Sequence, residues 1–319
     1  MKYKRPALYF HPHIETIAPA LTRKVKDFSF SERQRVTTPD GDFLDIDLVK
    51  NDRSSVVILS HGLEGNSSRP YILGMARAAS IAGHDVMAWN YRGCSEEMNR
   101  KLRFYHSGAT DDLQLIIDHA FKSGYRSIHL IGFSLGGNIT LKYLGEQSSG
   151  VNSSIKSAVT FSVPLDLHSS CIQISRPGNF LYAKRFLKNL KAKIRAKAEL
   201  MPDKIDTRPL EDIKTLIDFD DNYTAPIHGF KDAVDYYTQC SSIHFLDKIS
   251  TPTLIVNALN DPFLSKECYA GEKLIKHKFI TFEAPEQGGH VGFTELKNDG
   301  IFWSEKRAMK FISEIPDSA

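Results

Sequence analysis

The sequence predicts an α/β fold in which a mostly parallel central sheet carries helices on both faces. Short β-branched or apolar runs alternate with amphipathic helical stretches from about residue 33 onward, and this alternation is typical of parallel sheets covered by helices. Some of the runs, such as Val56–Leu59, are apolar throughout. Strands buried on both faces have this composition.

The first two predicted strands form a hairpin. Arg33–Thr37 and Phe43–Val49 flank Pro39–Asp42, whose Pro-Asp-Gly sequence favours a tight turn. After the hairpin, strands and helices are predicted to alternate regularly. These elements are strand Val56–Leu59, helix Tyr71–Ile81, strand Val86–Trp89, helix Ala109–Phe121, strand Ser127–Ile131, helix Leu135–Leu144 and strand Ser157–Phe161.

The alternation stops between residues 166 and 245, where the sequence is polar, irregular and helical. It then resumes with strand Thr253–Val256, helix Ser265–Ile275, strand Lys278–Phe282 and helix Ile301–Ile312. We therefore predict a core of residues 1–165 and 246–319, with a helical cap of residues 166–245 inserted after the sixth strand. Ligands of open α/β sheets bind beyond the carboxyl ends of the strands, so this cap would lie over the active site.

Composition narrows the class of protein. A chain of 319 residues with 41% apolar and 25% charged residues is typical of a globular enzyme, and a net charge of +3 is too small for a general nucleic-acid-binding surface. The four cysteines form no C-x-x-C pair, so neither a zinc site nor a disulfide framework is predicted. Without the apolar region of a signal peptide, or a run of about 18 apolar residues, the chain is predicted to be cytoplasmic.

A nucleophilic serine is predicted at residue 134. Residues 132–136, Gly-Phe-Ser-Leu-Gly, fit the G-x-S-x-G pattern of a nucleophile elbow. The pattern lies between a predicted strand and a predicted helix, as an elbow requires. The start of that helix would direct backbone N–H groups at an oxyanion.

A second glycine-rich loop, residues 60–65 (Ser-His-Gly-Leu-Glu-Gly), follows the strand Val56–Leu59. α/β-hydrolases place half of the oxyanion hole at this position. We predict that the backbone N–H groups of Leu63 and Leu135 form the hole. The alternative is a turn with no catalytic role.

A serine hydroxyl needs an imidazole to take its proton, and the imidazole needs a carboxylate to orient it. Asp261 follows the strand Thr253–Val256, and His290 follows the last predicted strand, so both would lie at one edge of the sheet. The order Ser, Asp, His predicts a triad of Ser134, Asp261 and His290. Asp166, just beyond the strand Ser157–Phe161, is the alternative acid.

The chain has 12 histidines, so other bases are considered. His61 belongs to the predicted oxyanion loop, and His106 and His244 do not follow the final strand. His290 lies in Gly-Gly-His-Val-Gly at the end of the Ser, Asp, His series, which favours it as the base.

Motifs spread over nearly the whole chain resemble one family. They are residues 11–17 (HPHIETI), 40–45 (DGDFLD), 61–65 (HGLEG), 90–95 (NYRGCS), 105–108 (YHSG), 132–138 (GFSLGGN), 224–230 (TAPIHGF), 260–263 (NDPF) and 289–293 (GHVGF). The chain is similar to the YheT-like branch of the α/β-hydrolase superfamily, which also includes eukaryotic membrane-associated abhydrolase-domain proteins. The acidic pair that the family usually has before the proline is Asn260-Asp261 here.

The resemblance implies an α/β-hydrolase fold and esterase or lipase chemistry on acyl esters, with Ser134 as nucleophile, Asp261 as acid and His290 as base. We predict a serine esterase that cleaves short- to medium-chain carboxylic esters through an acyl-enzyme. No sequence feature indicates a metal or an organic cofactor. The alternatives are phospholipid cleavage, acyl transfer to an alcohol, and ligand binding without turnover.

Residues 180–200 form a predicted basic amphipathic helix in the cap. Seven basic residues accompany one acidic residue, Glu199. The apolar face comprises Phe180, Ala183, Leu187, Leu190, Ile194 and Ala198, and Lys184, Lys188, Lys191 and Arg195 run beside it. The helix is either a lid with a solvated charged face or a peripheral contact with anionic membrane lipid.

Overall fold

The computed structural model of the chain describes residues 1–269, 271, 274, 276–296 and 299–315. Within this part, one sheet of eight strands has the order β1-β2-β4-β3-β5-β6-β7-β8. The strands are β1 Glu32–Thr37, β2 Phe43–Val49, β3 Ser55–Ser60, β4 Asp85–Asn90, β5 Ser127–Phe133, β6 Ile155–Phe161, β7 Thr253–Val256 and β8 Ile280–Glu283.

The sheet is mostly parallel, as predicted. Strands β3 to β8 pair in parallel, whereas β2 runs antiparallel to both of its neighbours, β1 and β4. The predicted hairpin is confirmed, with Thr37 opposite Phe43. The Thr38 N–H closes its turn by donating to the Asp42 carbonyl at 3.0 Å.

The helices follow the predicted order, with one addition at the start. They are α1 Pro12–Thr22, α2 Pro70–Ile81, α3 Thr110–Lys122, α4 Leu135–Gln147, α5 Leu167–Ile174, α6 Phe180–Leu200, α7 Leu216–Phe219, α8 Ala225–His228, α9 Ala233–Cys240 and α10 Trp303–Ser313. Helix α1 was not predicted. Its Pro12 lies in the first turn, where backbone N–H groups have no acceptor within the helix. The N–H that proline lacks is therefore not needed there.

Two predicted elements near the C-terminus differ from the structure. Strand β8 begins at Ile280 rather than at Lys278. The helix predicted over residues 265–275 falls partly outside the described residues, and within it Lys266–Cys268 form a short 3₁₀ helix.

Both faces of the sheet are buried along its central strands, where alternate residues point to opposite faces, whereas the edge strand β1 is largely exposed. In β3, Val56 and Ile58 pack into one apolar cluster, while Val57 and Leu59 pack into the other. All four side chains have no exposed surface. The unbroken apolar run in the sequence therefore follows from a strand covered on both sides.

Along the chain, helices α5 to α9 follow β6 and precede β7. Helix α6 spans residues 180–200, as predicted. Residues 220–224, between α7 and α8, form a π-helical turn, a feature frequent at functional sites. We refer to residues 166–245 as the proposed cap. None of the described helices combines the length and the apolar character that crossing a membrane requires.

Candidate active site

Ser134 lies at a sharp turn between the end of β5 and the start of α4. Its backbone has φ 52° and ψ −119°, a conformation that costs energy for a residue with a side chain. The flanking glycines make the turn feasible, because a Cβ on Gly132 would lie 2.5 Å from the Gly136 carbonyl oxygen. A Cβ on Gly136 would overlap the Ser60 carbonyl in the same way. The G-x-S-x-G pattern thus reflects close backbone packing.

The structure brings the three predicted side chains into one hydrogen-bonded chain. The Ser134 Oγ is 3.0 Å from the His290 Nε2, and the His290 Nδ1 is 2.9 Å from the Asp261 Oδ2. An ionised carboxylate can only accept, so the Nδ1 carries the ring proton and donates it to Asp261. The His290 Nε2 then accepts the hydrogen bond of the Ser134 hydroxyl.

Neighbouring groups hold this chain in place. Asp261 has a fully buried side chain, and its Oδ1 also accepts the Phe263 N–H at 2.9 Å. The Phe263 ring lies 4.2 Å from the His290 ring between centroids. On the other side, the Val291 N–H donates to the Ser162 Oγ at 2.8 Å. The acid and the base are thus oriented by backbone as well as by each other.

The loop after β3 passes directly beside Ser134, since a Cβ on Gly62 would lie 3.2 Å from the Ser134 Cβ. Two tyrosine hydroxyls accept the N–H groups on either side of Leu63: Tyr71 accepts from Gly62 at 2.9 Å, and Tyr105 accepts from Glu64 at 3.0 Å. Among the residues that the structure describes, the Leu63 N–H has no such acceptor.

The Leu135 N–H also has no hydrogen-bond acceptor in the described part of the chain, as expected for the first residue of helix α4. Leu63 and Leu135 therefore both have a backbone N–H near Ser134 that no acceptor of the described residues occupies.

Glu64 links this loop to helix α6, a contact that sequence reasoning missed. Its carboxylate accepts hydrogen bonds from the Tyr105 hydroxyl and from the Lys193 Nζ, each at 2.7 Å. Burial lowers the pKa of Lys193, but Cys94 and Glu64 outweigh that effect and the net pKa is raised. Lys193 is thus charged at neutral pH and connects the proposed cap to the loop that carries Leu63.

The other histidines considered as bases have different partners. Burial lowers the pKa of His61 to about 3, and its Nδ1 lies 2.8 Å from the Gly62 carbonyl, so it is a neutral part of the loop. Burial also lowers the pKa of His106, whose Nδ1 accepts the Gly108 N–H. His244 is exposed in a 3₁₀ turn.

Asp166, the alternative acid, caps helix α5 by accepting the Ser169 N–H at 2.8 Å. Over the described residues, no three His, Cys, Asp or Glu side chains are arranged to hold a metal ion.

Two cavities meet at Ser134. The inner cavity has an empty volume of ≈ 960 Å³, and every residue that lines it is buried or half-buried. Most of these residues are apolar. One exception is Asp220, whose pKa burial raises to about 6.

The outer cavity has an empty volume of ≈ 1400 Å³ and reaches the surface, because its lining includes exposed residues of α1 and α6 such as Leu21, Leu181 and Arg185. The two cavities share four lining residues, namely Leu63, Ser134, Phe186 and Phe263. The hydroxyl of Ser134 can therefore be approached from two sides.

Two basic residues of α6 that the predicted charged face did not include, Lys193 and Lys197, are turned away from solvent. Lys197 is fully buried and donates to the Asn99 Oδ1 and to the Lys101 carbonyl, and Lys193 binds Glu64. Burial lowers the pKa of Lys197 to about 8. Near the start of the helix, Arg185 and Lys188 are exposed.

The chain resembles known proteins over most of its length. A family model described as the alpha/beta hydrolase fold matches residues 55–295. The Escherichia coli (strain K12) protein YheT, a candidate esterase by name, is 33% identical over 288 residues, which cover 88% of this chain and 84% of that protein. Phospholipase ABHD3 of Bos taurus is 28% identical over 272 residues, or 82% of this chain and 66% of that protein.

Among solved structures, the Pyrococcus furiosus esterase Pf2001 superposes with a TM-score of 0.60 at 14% identity, covering 92% of this chain and 98% of that one. The predicted fold, with its mostly parallel sheet and flanking helices, is confirmed.

Proposed function

Because this chain belongs to the α/β-hydrolase superfamily, in its YheT-like family, we propose that it is a serine esterase that cleaves carboxylic acyl esters. Its relatives include proteins named as esterases and lipases, so it is a hydrolase of the esterase and lipase type. The observation that carries the proposal is the continuous hydrogen-bonded chain from Ser134 through His290 to Asp261.

In the first half of the proposed reaction, the Ser134 Oγ attacks the ester carbonyl carbon while its proton passes to the His290 Nε2. Asp261 stabilises the imidazolium through the Nδ1–H bond. The negative charge that develops on the carbonyl oxygen is stabilised by the N–H groups of Leu63 and Leu135. Collapse of this intermediate breaks the ester bond, and the Nε2 proton goes to the leaving alcohol.

In the second half, the His290 Nε2 takes a proton from water as the water oxygen attacks the acyl carbon. The same two N–H groups stabilise the second oxyanion. Its collapse releases the carboxylic acid and returns the proton to Ser134. No step needs a metal ion or an organic cofactor.

The two cavities suggest how an ester is oriented. We propose that residues 166–245 act as a cap and that the inner cavity, lined by apolar side chains of the cap such as Leu190 and Ile194, holds the acyl chain. The outer cavity then holds the alcohol group and connects Ser134 to the surface. Each CH₂ that enters apolar space contributes about 0.8 kcal/mol, or about fourfold in kcat/KM.

We expect kcat/KM for p-nitrophenyl esters to rise about fourfold per CH₂ from acetate to butyrate and to level off once the inner cavity is full. Leu190→Trp should lower kcat/KM for octanoate by about tenfold or more, because the larger ring occupies space that about two CH₂ groups would fill. The rate on acetate should change much less.

Leu200→Trp is the matched control, since Leu200 ends the same helix and is 63% exposed. It should leave the chain-length profile unchanged. A profile that is flat from acetate to octanoate in the unmodified protein would contradict the assignment of the inner cavity to the acyl chain.

A peripheral contact with anionic lipid is a further part of the proposal. Phe180 and Leu181 are 60% and 71% exposed at the start of α6, beside Lys184, Arg185 and Lys188. Apolar side chains next to basic ones suit the interface of an anionic membrane, and Leu181 and Arg185 also line the outer cavity. An ester could thus pass from the membrane to Ser134.

Binding to phosphatidylcholine vesicles should therefore strengthen as phosphatidylglycerol is added. Replacing Lys184, Arg185 and Lys188 together by Gln should weaken binding about a hundredfold, at about 1 kcal/mol per basic residue. Lys248, Lys266 and Lys276 are exposed outside α6, and the same triple change there is the control. Binding that does not depend on the content of anionic lipid would refute this part of the proposal.

A further inference from the structure

Helix α1 packs against the two loops that carry Asp261 and His290. The contact joins residues far apart in the chain, because α1 ends at Thr22 whereas the loops lie near residues 260 and 290. Helix α1 also precedes residues 55–295, which match the family model. Its residues line part of the outer cavity, but none of them transfers a proton or stabilises charge in the proposed reaction.

Glu15 is the centre of this contact. It is only 2% exposed, although it carries a carboxylate. Its Oε2 accepts the Gly288 N–H at 2.6 Å, and its Oε1 accepts the Asn260 side-chain amide at 2.9 Å. The Arg5 Nη1 is 3.5 Å from the same Oε1. One carboxylate therefore bonds both loops.

The bonds continue along the backbone that leads to the base. The Asn260 Oδ1 accepts the Gly289 N–H at 3.0 Å, and the Thr16 Oγ1 accepts the His290 N–H at 3.0 Å. Side chains thus fix three consecutive N–H groups, those of residues 288, 289 and 290. Two of these side chains belong to α1, and the third adjoins Asp261.

The packing leaves little freedom for this arrangement to shift. Gly289 has φ 58°, and a Cβ there would lie 2.9 Å from the Glu15 Cβ. A Cβ on Gly292 would overlap the Glu15 carbonyl oxygen. The glycines on both sides of His290 therefore allow the loop to approach α1 closely, so that the carboxylate can reach its donors.

We propose that Glu15 is a positioning residue that holds the loop of His290 against the loop of Asp261, and so sets the geometry of the hydrogen bond between these two side chains. This inference rests on the proposed esterase function. Buried acceptors matched to several donors define one arrangement and penalise others. A base displaced by about 1 Å costs about a hundredfold in rate.

Glu15→Gln tests the proposal with little change in volume. A glutamine has one acceptor oxygen and an NH₂ group, so it cannot accept from both Gly288 and Asn260 in the present arrangement. We expect kcat on p-nitrophenyl butyrate to fall about 10- to 100-fold, with KM within about threefold, because Glu15 does not line either cavity. Glu96→Gln, at a carboxylate whose side chain is 93% exposed, is the matched control and should leave both constants unchanged.

A second measurement does not depend on turnover. The proton on the His290 Nδ1 should give a low-field NMR signal that is absent from His290→Ala. In Glu15→Gln this signal should broaden or disappear while the thermal melting curve still shows a folded protein. If the unmodified protein hydrolyses no ester but the signal behaves in this way, the proposed function fails and the positioning role stands.

Two results would overturn the proposal. One is a folded Glu15→Gln protein with unchanged kcat, and the other is a lowered kcat with an unaltered Nδ1 proton signal. If Glu15→Gln does not fold, Thr16→Val carries the same test, because it removes the acceptor of the His290 N–H and keeps the shape of the side chain. The same fall in kcat and the same loss of signal are then expected, and an unchanged signal refutes the role of α1.

Discussion

Ser134→Ala should lower kcat on p-nitrophenyl butyrate by about 10⁶-fold and abolish covalent labelling by a fluorophosphonate probe. Alanine has no oxygen to attack the ester, so the acyl-enzyme cannot form. The residual rate should come only from water activated next to the N–H groups of Leu63 and Leu135. Initial rates and in-gel fluorescence of the labelled protein measure the two effects.

The control for this change is Ser153→Ala, at an exposed serine near the start of β6. It should retain both full activity and labelling. If Ser134→Ala were still labelled in the folded state, another residue would be the nucleophile. The assignment of Ser134, His290 and Asp261 as a catalytic triad would then be wrong.

Arg92→Met should lower the free energy of unfolding by about 3–5 kcal/mol at pH 7. The Arg92 guanidinium is 2% exposed and binds three carboxylates, with contacts of 2.8 Å to Asp40 and Asp112 and 3.2 Å to Asp42. Asp42 and Asp112 are themselves buried, so removing the cation leaves two buried negative charges without their partner. Urea unfolding followed by tryptophan fluorescence gives the free energy.

Arg208→Met is the control for this change, because the Arg208 side chain is 90% exposed and its one ion pair among the described residues is with Asp206. Solvent screens exposed ion pairs, so little change in the free energy of unfolding is expected there. A loss at Arg92 no larger than the loss at Arg208 would show that the buried cluster does not contribute to stability.

The Arg92 effect should also depend on pH. Burial acts to raise the pKa of Asp40, but the hydrogen bonds from Thr38 and Arg92 outweigh it and bring the pKa down to about 2. An unfolded aspartate has a pKa of about 3.9, so this carboxylate stabilises the fold above about pH 4 and ceases to do so as the pH falls to 2. The free energy of unfolding of the original protein should therefore approach that of Arg92→Met as the pH falls from 4 to 2.

Much of the candidate site could be predicted because short sequence patterns indicate its turns and the ends of its strands. The elbow at Ser134 requires small neighbours within two residues, and these appear directly in the sequence as Gly132 and Gly136. Asp261 and His290 each follow a predicted strand, and parallel strands end at one edge of the sheet, so their proximity followed from topology. The first inference needs only a local pattern, and the second needs local patterns together with the parallel arrangement of the strands.

Contacts between distant segments could not be predicted in this way. The Glu15 carboxylate meets donors 245 and 273 residues further along the chain, and no local pattern indicates such partners. Lys193 and Lys197 resemble the solvated lysines of the same helix, because helical periodicity shows which residues share a face but not what lies opposite it. Their burial depends on the loops that α6 covers.

In the proposed reaction, the covalent intermediate would set the order of product release, and the two cavities that meet at Ser134 would determine where each product lies. If the acyl chain is held in the inner cavity, as proposed, the alcohol would depart first, and water would reach the acyl carbon through the space that the alcohol has vacated. The fatty acid is then the last product to dissociate. We expect the fatty acid to compete with the ester for the free enzyme. An added alcohol should react with the same acyl-enzyme that water hydrolyses.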